Sequence, residues 1–463
     1  MKKLLLASVF LCYLILPIDT DLGWHLRYGQ QIFQNHQVFK INQIGFFLTN
    51  YQWKHAYSLY QLLTFFLFNY FGFWSLVIGN ALLLTTVFWL IIKTFPKSNT
   101  LFLALSFIFL FLISLPVTNL GWRSQLFSFL GISLLYFLLL NKKRLFLLPL
   151  LFLLWANLHG GFILGFILLF FYLIGKVHKK EKITPLLIII FVSFLATLIN
   201  PFGFENYQEI YRHTWYPLNQ LIAEWVKPTK ISILLIIISV STLFIGLISQ
   251  VKINKLLKKK NFIFLFLSYL FFLILALKAR RNLAAFGLSS VYLANHLFQF
   301  QAKKIRISKI IIFLIFSTSL TWRLTKLPPA NPGWSTICEN SQWSLPCQAT
   351  QYLKGNPDLC QNIFNAYEWG GYLAWHLPGR KIFVDGRMPT WSTPSGKSPY
   401  TIYLEILQAQ SGFEQKLEAY KADCLLIGKN TFLDLELKNN PGYPWEKNYE
   451  DEIAILYTLE KQP

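Results

Sequence analysis

Long apolar runs, each closed by a cluster of lysines or by a turn rich in Gly, Pro and Asn, fill the chain as far as residue 327. Eleven of them read as membrane-crossing helices: 4–18, 73–92, 101–117, 120–140, 145–158, 162–174, 183–199, 231–248, 262–277, 283–298 and 310–322. Several fall short of the roughly 20 residues that span a bilayer upright, so the expected number is about eleven. Lysines at one end of the first run can reach the interface along their alkyl stems. Residues 24–33 alternate apolar and polar positions at helical spacing, as an interfacial helix does. Residues 59–70 are either a second such helix or the start of a long tilted span. The first run ends in Leu16-Pro17-Ile18-Asp19 without a small-x-small cleavage site, which favours an uncleaved first span over a signal peptide.

The charged positions order these runs. Lys2 and Lys3, Lys93 and Lys97, Lys142 to Arg144, Lys176 to Lys182, Lys252 to Lys260, and Lys303 to Lys309 all close runs on the same side. Basic loops mark the cytoplasmic face, which places the N-terminus inside. Of the acids before Ala330, Asp19, Asp21, Glu205, Glu209 and Glu224 fall on the opposite side, and Glu181 alone falls among the lysines. These charges predict a multi-pass plasma-membrane protein with a first outer loop at 19–57, in a transmembrane domain of residues 1–327.

The pattern changes at Pro328-Pro329-Ala330-Asn331-Pro332, a stiff linker. Residues 328–463 carry mixed charge and short strand-like runs: 362–365, 381–384, 424–428 and 453–457. A turn and short helix are expected at 369–375 and a longer helix at 404–420. This is a small α/β domain, placed by the topology on the extracytoplasmic side.

Composition agrees with this division. The 463 residues are 54% hydrophobic and 14% charged, too apolar for an ordinary soluble chain of this length. The net charge of +22 has a sufficient source in cytoplasmic loops. The basic residues lie between apolar spans and form no face for nucleic acid, so no nucleic-acid partner is expected. Cys12 lies in the first span; Cys338, Cys347, Cys360 and Cys424 lie in the α/β domain. Four cysteines allow three pairings, and Cys338 with Cys347 is the nearest in sequence. An extracytoplasmic domain permits disulfides, and no zinc-ligand spacing is present.

The chemistry-bearing residues gather in the outer loops. Asp19-Thr20-Asp21-Leu22-Gly23-Trp24-His25-Leu26-Arg27 puts two carboxylates, an imidazole and a guanidinium at a membrane edge. Asp21, with Asp19, is a candidate general base or a ligand for Mg or Mn; Asp21 is equally placed to cap a helix starting at Leu22. His25 is a candidate substrate contact. Lys278, Arg280 and Arg281 form a basic outer turn against the positive-inside tendency. An anionic ligand such as a phosphate would compensate them; so would lipid headgroups. His159 in Asn157-Leu158-His159-Gly160-Gly161, Arg123 in Trp122-Arg123-Ser124-Gln125, and Glu224 at the end of the 200–230 loop are further substrate contacts to consider. Asp385 and Arg387 in Val384-Asp385-Gly386-Arg387 are either ligand contacts or a structural turn with an internal ion pair, and the second reading is preferred.

These segments also carry a resemblance. Asp19 to Gly29, in the pattern Asp-Thr-Asp-Leu-Gly-Trp-His-Leu-x-x-Gly, is similar to the first outer loop of the C-type membrane glycosyltransferases. That superfamily includes protein O-mannosyltransferases and the aminoarabinose transferases of lipid A. The segments 122–128, 155–162, 200–203, 279–282, 369–377 and 383–387 together resemble a set of bacterial multipass proteins placed beside it. The resemblance implies a GT-C-like fold and transfer of a sugar from a polyprenyl phosphate on the outer leaflet. It implies a base or metal ligand at Asp21 or Asp19, and a donor-phosphate site at Lys278, Arg280 and Arg281. Protein mannosyltransferases carry adjacent acids in this loop whereas this chain has Asp-x-Asp, which leaves metal dependence open.

The expected activity is therefore glycosyl transfer to a lipid, glycan or protein acceptor at the outer face, with membrane lipids as surroundings. Two other readings stand beside it: a polytopic glycan or lipid transporter, and an envelope assembly protein. No internal repeat of the kind many transporters show is visible in the sequence.

Overall fold

The computed structural model describes residues 1–141, 144–215, 222–248, 261–298, 306–326, 328–339 and 344–459. Lys142, Lys143, the Lys252 to Lys260 cluster, Lys303 and Lys304 lie outside the described residues. Every apolar run read from the sequence carries a helix. Among the described residues three helices, Ser58–Thr94, Thr100–Thr118 and Lys230–Ile248, are long and apolar enough to cross a membrane. Shorter apolar helices occupy Gln125–Asn141, Leu145–Leu158, Phe162–His178, Thr184–Thr197, Phe262–Lys278 and Ile310–Leu324.

Two boundaries differ from the sequence reading. The first helix is Lys2–Cys12 and does not continue to Ile18. Pro17 disfavours helical backbone at Leu16, and the chain leaves the helix at Tyr13. The Tyr13 carbonyl is taken up by the Asn80 amide at 2.6 Å, so the released backbone group stays paired. The second is the run from residue 58, which forms a helix to Thr94 broken at Gly72 (φ 66°, ψ −165°). That conformation is open essentially to glycine alone, and it divides the helix between residues 71 and 73.

The chain forms two compact units: Met1–Pro17, Trp74–Asn206 and Pro217–Pro328 in one; Ile18–Phe73, Tyr207–Tyr216 and Pro329–Pro463 in the other. A single cut after residue 327 does not describe it. The first outer loop groups with the C-terminal part, because its aromatic residues pack there.

In the helical unit, many apolar side chains point outward, among them Phe170, Phe191, Phe244 and Phe313. A face of that kind suits lipid and not water. Inside, small residues let helices approach, as membrane helices do: a methyl group at Gly131 or Gly165 would meet the Trp155 indole. Ser98 donates to the Asn295 side chain at 2.9 Å, a polar tie within the buried apolar contacts.

The second unit is built on a five-stranded sheet of order β2-β1-β3-β5-β4, with β1 Asn362–Asn365, β2 Lys381–Ile382, β3 Cys424–Gly428, β4 Trp445–Glu450 and β5 Ala454–Leu459. β1 pairs parallel with β2 and β3, whereas β5 pairs antiparallel with β3 and β4. The apolar residues of β1 and β3 are buried on both faces, as central strands of mixed sheets are. β4, Trp-Glu-Lys-Asn-Tyr-Glu, is a polar edge strand that the hydrophobic pattern does not reveal. The helix expected at 404–420 is two, Pro399–Leu407 and Phe413–Ala419, parted at Gly412 (φ 83°). Disulfides join Cys338 to Cys347 and Cys360 to Cys424.

Residues 44–46 extend this sheet. The Phe46 N–H donates to the Ile382 carbonyl at 3.1 Å, and the Ile382 N–H donates to the Ile44 carbonyl at 3.2 Å. The outer side of β2 is thereby paired by the loop.

Candidate active site

The Asp19 to Trp24 stretch leads into the Leu22–Asn35 helix, with Asp21 at the N-cap position. Its carboxylate makes no capping bond there. Asp21 Oδ1 instead accepts the Trp24 indole N–H at 2.9 Å, and Asp19 Oδ1 accepts the Asp21 backbone N–H at 3.3 Å. Close backbone approach on the C-terminal side seats the stretch. A Cβ at Gly371 would overlap the Thr20 carbonyl, one at Gly23 the Gly371 carbonyl, and one at Gly386 the Asp21 carboxylate itself. The motif Asp-Thr-Asp-Leu-Gly-Trp thus meets Trp-Gly-Gly-Tyr and Val-Asp-Gly-Arg, which follow it by some 350 residues, in one place. Burial, then Asp21, Tyr400, Asp385 and Glu368, push the Tyr367 phenol well above its ordinary range, so it stays protonated beside Asp21.

Behind Gly386 sits a buried ion pair, as the sequence of the turn suggests. Arg387 donates to both oxygens of Asp385, with Nη2 to Oδ2 at 2.6 Å and Nε to Oδ1 at 2.9 Å. It also donates to the Tyr28 hydroxyl at 2.5 Å and to Asn42 Oδ1 at 3.2 Å. The guanidinium lies 5.0 to 5.3 Å from the ring centres of Tyr28, Trp53 and Trp391. Burial acts to lower its pKa, but the Asp385 charge, Tyr28 and these hydrogen bonds raise it, so the guanidinium keeps its charge. His25 is buried, stacked on Trp24 at 3.6 Å and edge-on to Tyr60 at 4.6 Å. His55 is buried against Trp53, and burial together with Arg387 lowers its pKa to about 3. The Glu205–Trp215 helix adds Arg212, whose Nη1 donates to the Tyr51 hydroxyl at 2.7 Å, and His213, within 3.2 Å of Thr390 Oγ1.

The helical unit holds a second cluster. Arg123 forms an ion pair with Glu224. Burial alone would raise the Glu224 pKa, yet Arg123, Arg281 and the Arg123 hydrogen bond hold it below the usual carboxylate range. The three cations of the 278–281 turn part company here. Lys278 ends its helix exposed. Arg280 Nε donates to the Lys227 carbonyl at 3.1 Å. Arg281 lies 4.3 Å over the Trp225 ring; its N–H donates to the Glu224 carbonyl at 3.1 Å, and its carbonyl accepts from Gln125 at 3.0 Å. Backbone and stacking fix this guanidinium, and it makes no side-chain hydrogen bond among the described residues. Its flat donor fork is therefore available to an anion.

His159 contacts Ser128, one turn along the Gln125–Asn141 helix from Gln125. Its Nδ1 accepts the Gly161 N–H at 3.0 Å and lies 2.7 Å from Ser128 Oγ, which itself accepts the Trp155 indole N–H at 2.8 Å. An Nδ1 that accepts from backbone leaves the ring proton on Nε2.

No family model matches the chain, and no curated protein does so either. Solved structures do. The archaeal oligosaccharyltransferase AglB from Archaeoglobus fulgidus, in complex with an inhibitory peptide and a dolichol-phosphate, matches with a TM-score of 0.62 at 10% identity, over 94% of this chain and 69% of AglB. ArnT from Cupriavidus metallidurans in the apo state matches with a TM-score of 0.53 at 11% identity, over 97% of this chain and 95% of ArnT. ArnT bound to undecaprenyl phosphate matches with a TM-score of 0.50 at 9% identity. The chain has the GT-C fold.

Among the described residues, no group of three or more His, Cys, Asp or Glu side chains could hold a metal ion. Asp19 and Asp21 nonetheless offer hard oxygen donors two residues apart. A Mg or Mn ion held by one or two carboxylates and completed by water and substrate phosphate needs no more from the protein. Tyr28, Asn42, Gly386 and Trp391 escaped the sequence reading as site residues. The glycine between Asp385 and Arg387 was the visible signal; nothing local distinguishes Trp391.

Proposed function

We propose that this chain is a membrane glycosyltransferase that moves a sugar from a polyprenyl-phosphate donor to a hydroxyl of a lipid, glycan or protein acceptor at the outer face of the plasma membrane. Asp21 takes the proton of the acceptor hydroxyl. The acceptor oxygen bonds to the anomeric carbon while the bond from that carbon to the phosphate oxygen breaks, and the polyprenyl phosphate leaves with the electron pair. Attack opposite the departing phosphate inverts the anomeric centre. Arg281 pairs with the donor phosphate through its flat fork and stabilises the charge it gains on leaving. Lys278, Arg280, Arg123, Glu224, His159 and His25 are assigned supporting contacts to the donor or acceptor. A Mg or Mn ion on Asp19 and Asp21 is the alternative to that base role; when bound it would supply positive charge to the donor phosphate. The chain is multi-pass with a cytoplasmic N-terminus; the two disulfides suit an extracytoplasmic C-terminal domain.

The observation that carries the reading is the carboxylate of Asp21. It stands at an N-cap without capping, aimed by the Trp24 indole and pressed on Gly386, within a GT-C fold. The test is release of labelled sugar from radiolabelled undecaprenyl-phosphate monosaccharides by the purified protein. Turnover is expected, and D21N should abolish it while the protein still inserts in the membrane. Binding without turnover by the unaltered protein would favour a transporter or assembly role instead.

A further inference from the structure

Three features of the second unit converge on one point. Gly386 has no positive φ, so its backbone conformation does not require glycine. What requires it is the Asp21 carboxylate, which occupies the space a Cβ would fill. On either side of Gly386, Asp385 and Arg387 are fully buried and bound to each other. Through Arg387 the turn grips Tyr28 and Asn42, both in the same outer loop that carries Asp21. A guanidinium bound to a carboxylate at two atoms and enclosed by three aromatic rings has little freedom. The height of the Gly386 backbone against Asp21 is therefore fixed from behind.

We propose that the Asp385-Gly386-Arg387 turn is the positioning device for Asp21: Gly386 is the surface on which the carboxylate rests, and the Arg387 ion pair holds that surface in place. This rests on Asp21 being the reacting carboxylate. It gives the C-terminal domain a task in the reaction, with Gly386, Asp385 and Arg387 as positioning residues that do not touch substrate. A methyl group at residue 386 would drive the carboxylate off its seat. A misplacement of about 1 Å can cost on the order of 10²-fold in rate.

The experiment compares the full-length protein with G386A, D21A, D21N and D21A/G386A, all in the same detergent. Thermal unfolding is measured for each, together with turnover of undecaprenyl-phosphate glucose, mannose and arabinose. G386A should unfold at a lower temperature than the unaltered protein. In the D21A background the same change should cost nothing, because the methyl group then enters vacated space. If G386A alone fails to fold, recovery of folding in D21A/G386A is the same result in stronger form. In turnover, G386A should lower kcat about 10²-fold with the donor KM unchanged, which a general loosening of the domain would not do. Equal destabilisation by G386A in both backgrounds would overturn the contact. Unchanged kcat in G386A with an inactive D21N would overturn the positioning role and leave Asp21 as the base. An active D21N would overturn the catalytic reading and the positioning role with it.

Discussion

His55 shows how one buried residue ties the site to pH. Its ring packs on Trp53 at 4.1 Å, its Nδ1 accepts the Tyr57 N–H at 3.2 Å, and Arg387 lies near enough to disfavour a second positive charge. Burial and that charge lower its pKa to about 3, whereas the unfolded chain has an ordinary imidazole near 6.5. The unfolded state therefore binds a proton below about pH 6.5 that the folded state refuses until about pH 3. Stability contributed by the neutral ring is present above pH 6.5 and is lost as the pH falls through that window. Between pH 7 and pH 5 the loss from His55 is about 2 kcal/mol. Asn at this position offers an oxygen acceptor and no titration. Chemical denaturation at the two pH values should show a drop in the unaltered protein that is smaller by that amount in H55N; equal drops would mean that His55 is not the group responsible. The local sequence does not announce the whole shift, because part of it comes from the charge of Arg387, far along the chain.

At the scale of elements, the apolar runs were legible as helices. Breaks were legible where the residue forcing them has only one solution. Gly72 is the clearest: the sequence already divides residues 59–70 from 73–92, and the structure puts the break at a conformation other residues avoid. A Cβ there would meet nothing within 4 Å, so a G72A change is opposed by backbone strain alone. Such strain is on the order of 1–3 kcal/mol. Thermal unfolding of G72A should reveal a cost in that range, and a neutral substitution would show that the helix can straighten through residue 72 without penalty. The polar edge strand β4 was not legible, because an edge strand needs no apolar alternation when its outer side faces water. The first helix was read too long because the apolar run continues to Ile18 while Pro17 ends helical geometry before it does.

At the scale of the whole chain, the sequence suggests a membrane domain followed by a soluble one, and the structure groups residues 18–73 with residues 329–463 instead. The cause is a set of partners that no local pattern connects. Trp24, Tyr28 and Trp53 are buried; Tyr28 and Trp53 close on Arg387, and residues 44–46 pair with β2. The Asp motif was visible in the sequence, whereas its seat was not. A chain ending at Leu327 would keep the helices of the first unit yet strip the 18–73 segment of Arg387, Trp391 and the β2 edge. Its aromatic side chains would then be exposed, and its backbone groups at Ile44 and Phe46 would lose their partners. The truncated protein should insert in the membrane but be cleaved readily by added protease between residues 36 and 57, a stretch that the full-length protein protects. Equal protection in both would mean that this segment holds its shape without the C-terminal domain, and that the seat of Asp21 is built before that domain arrives.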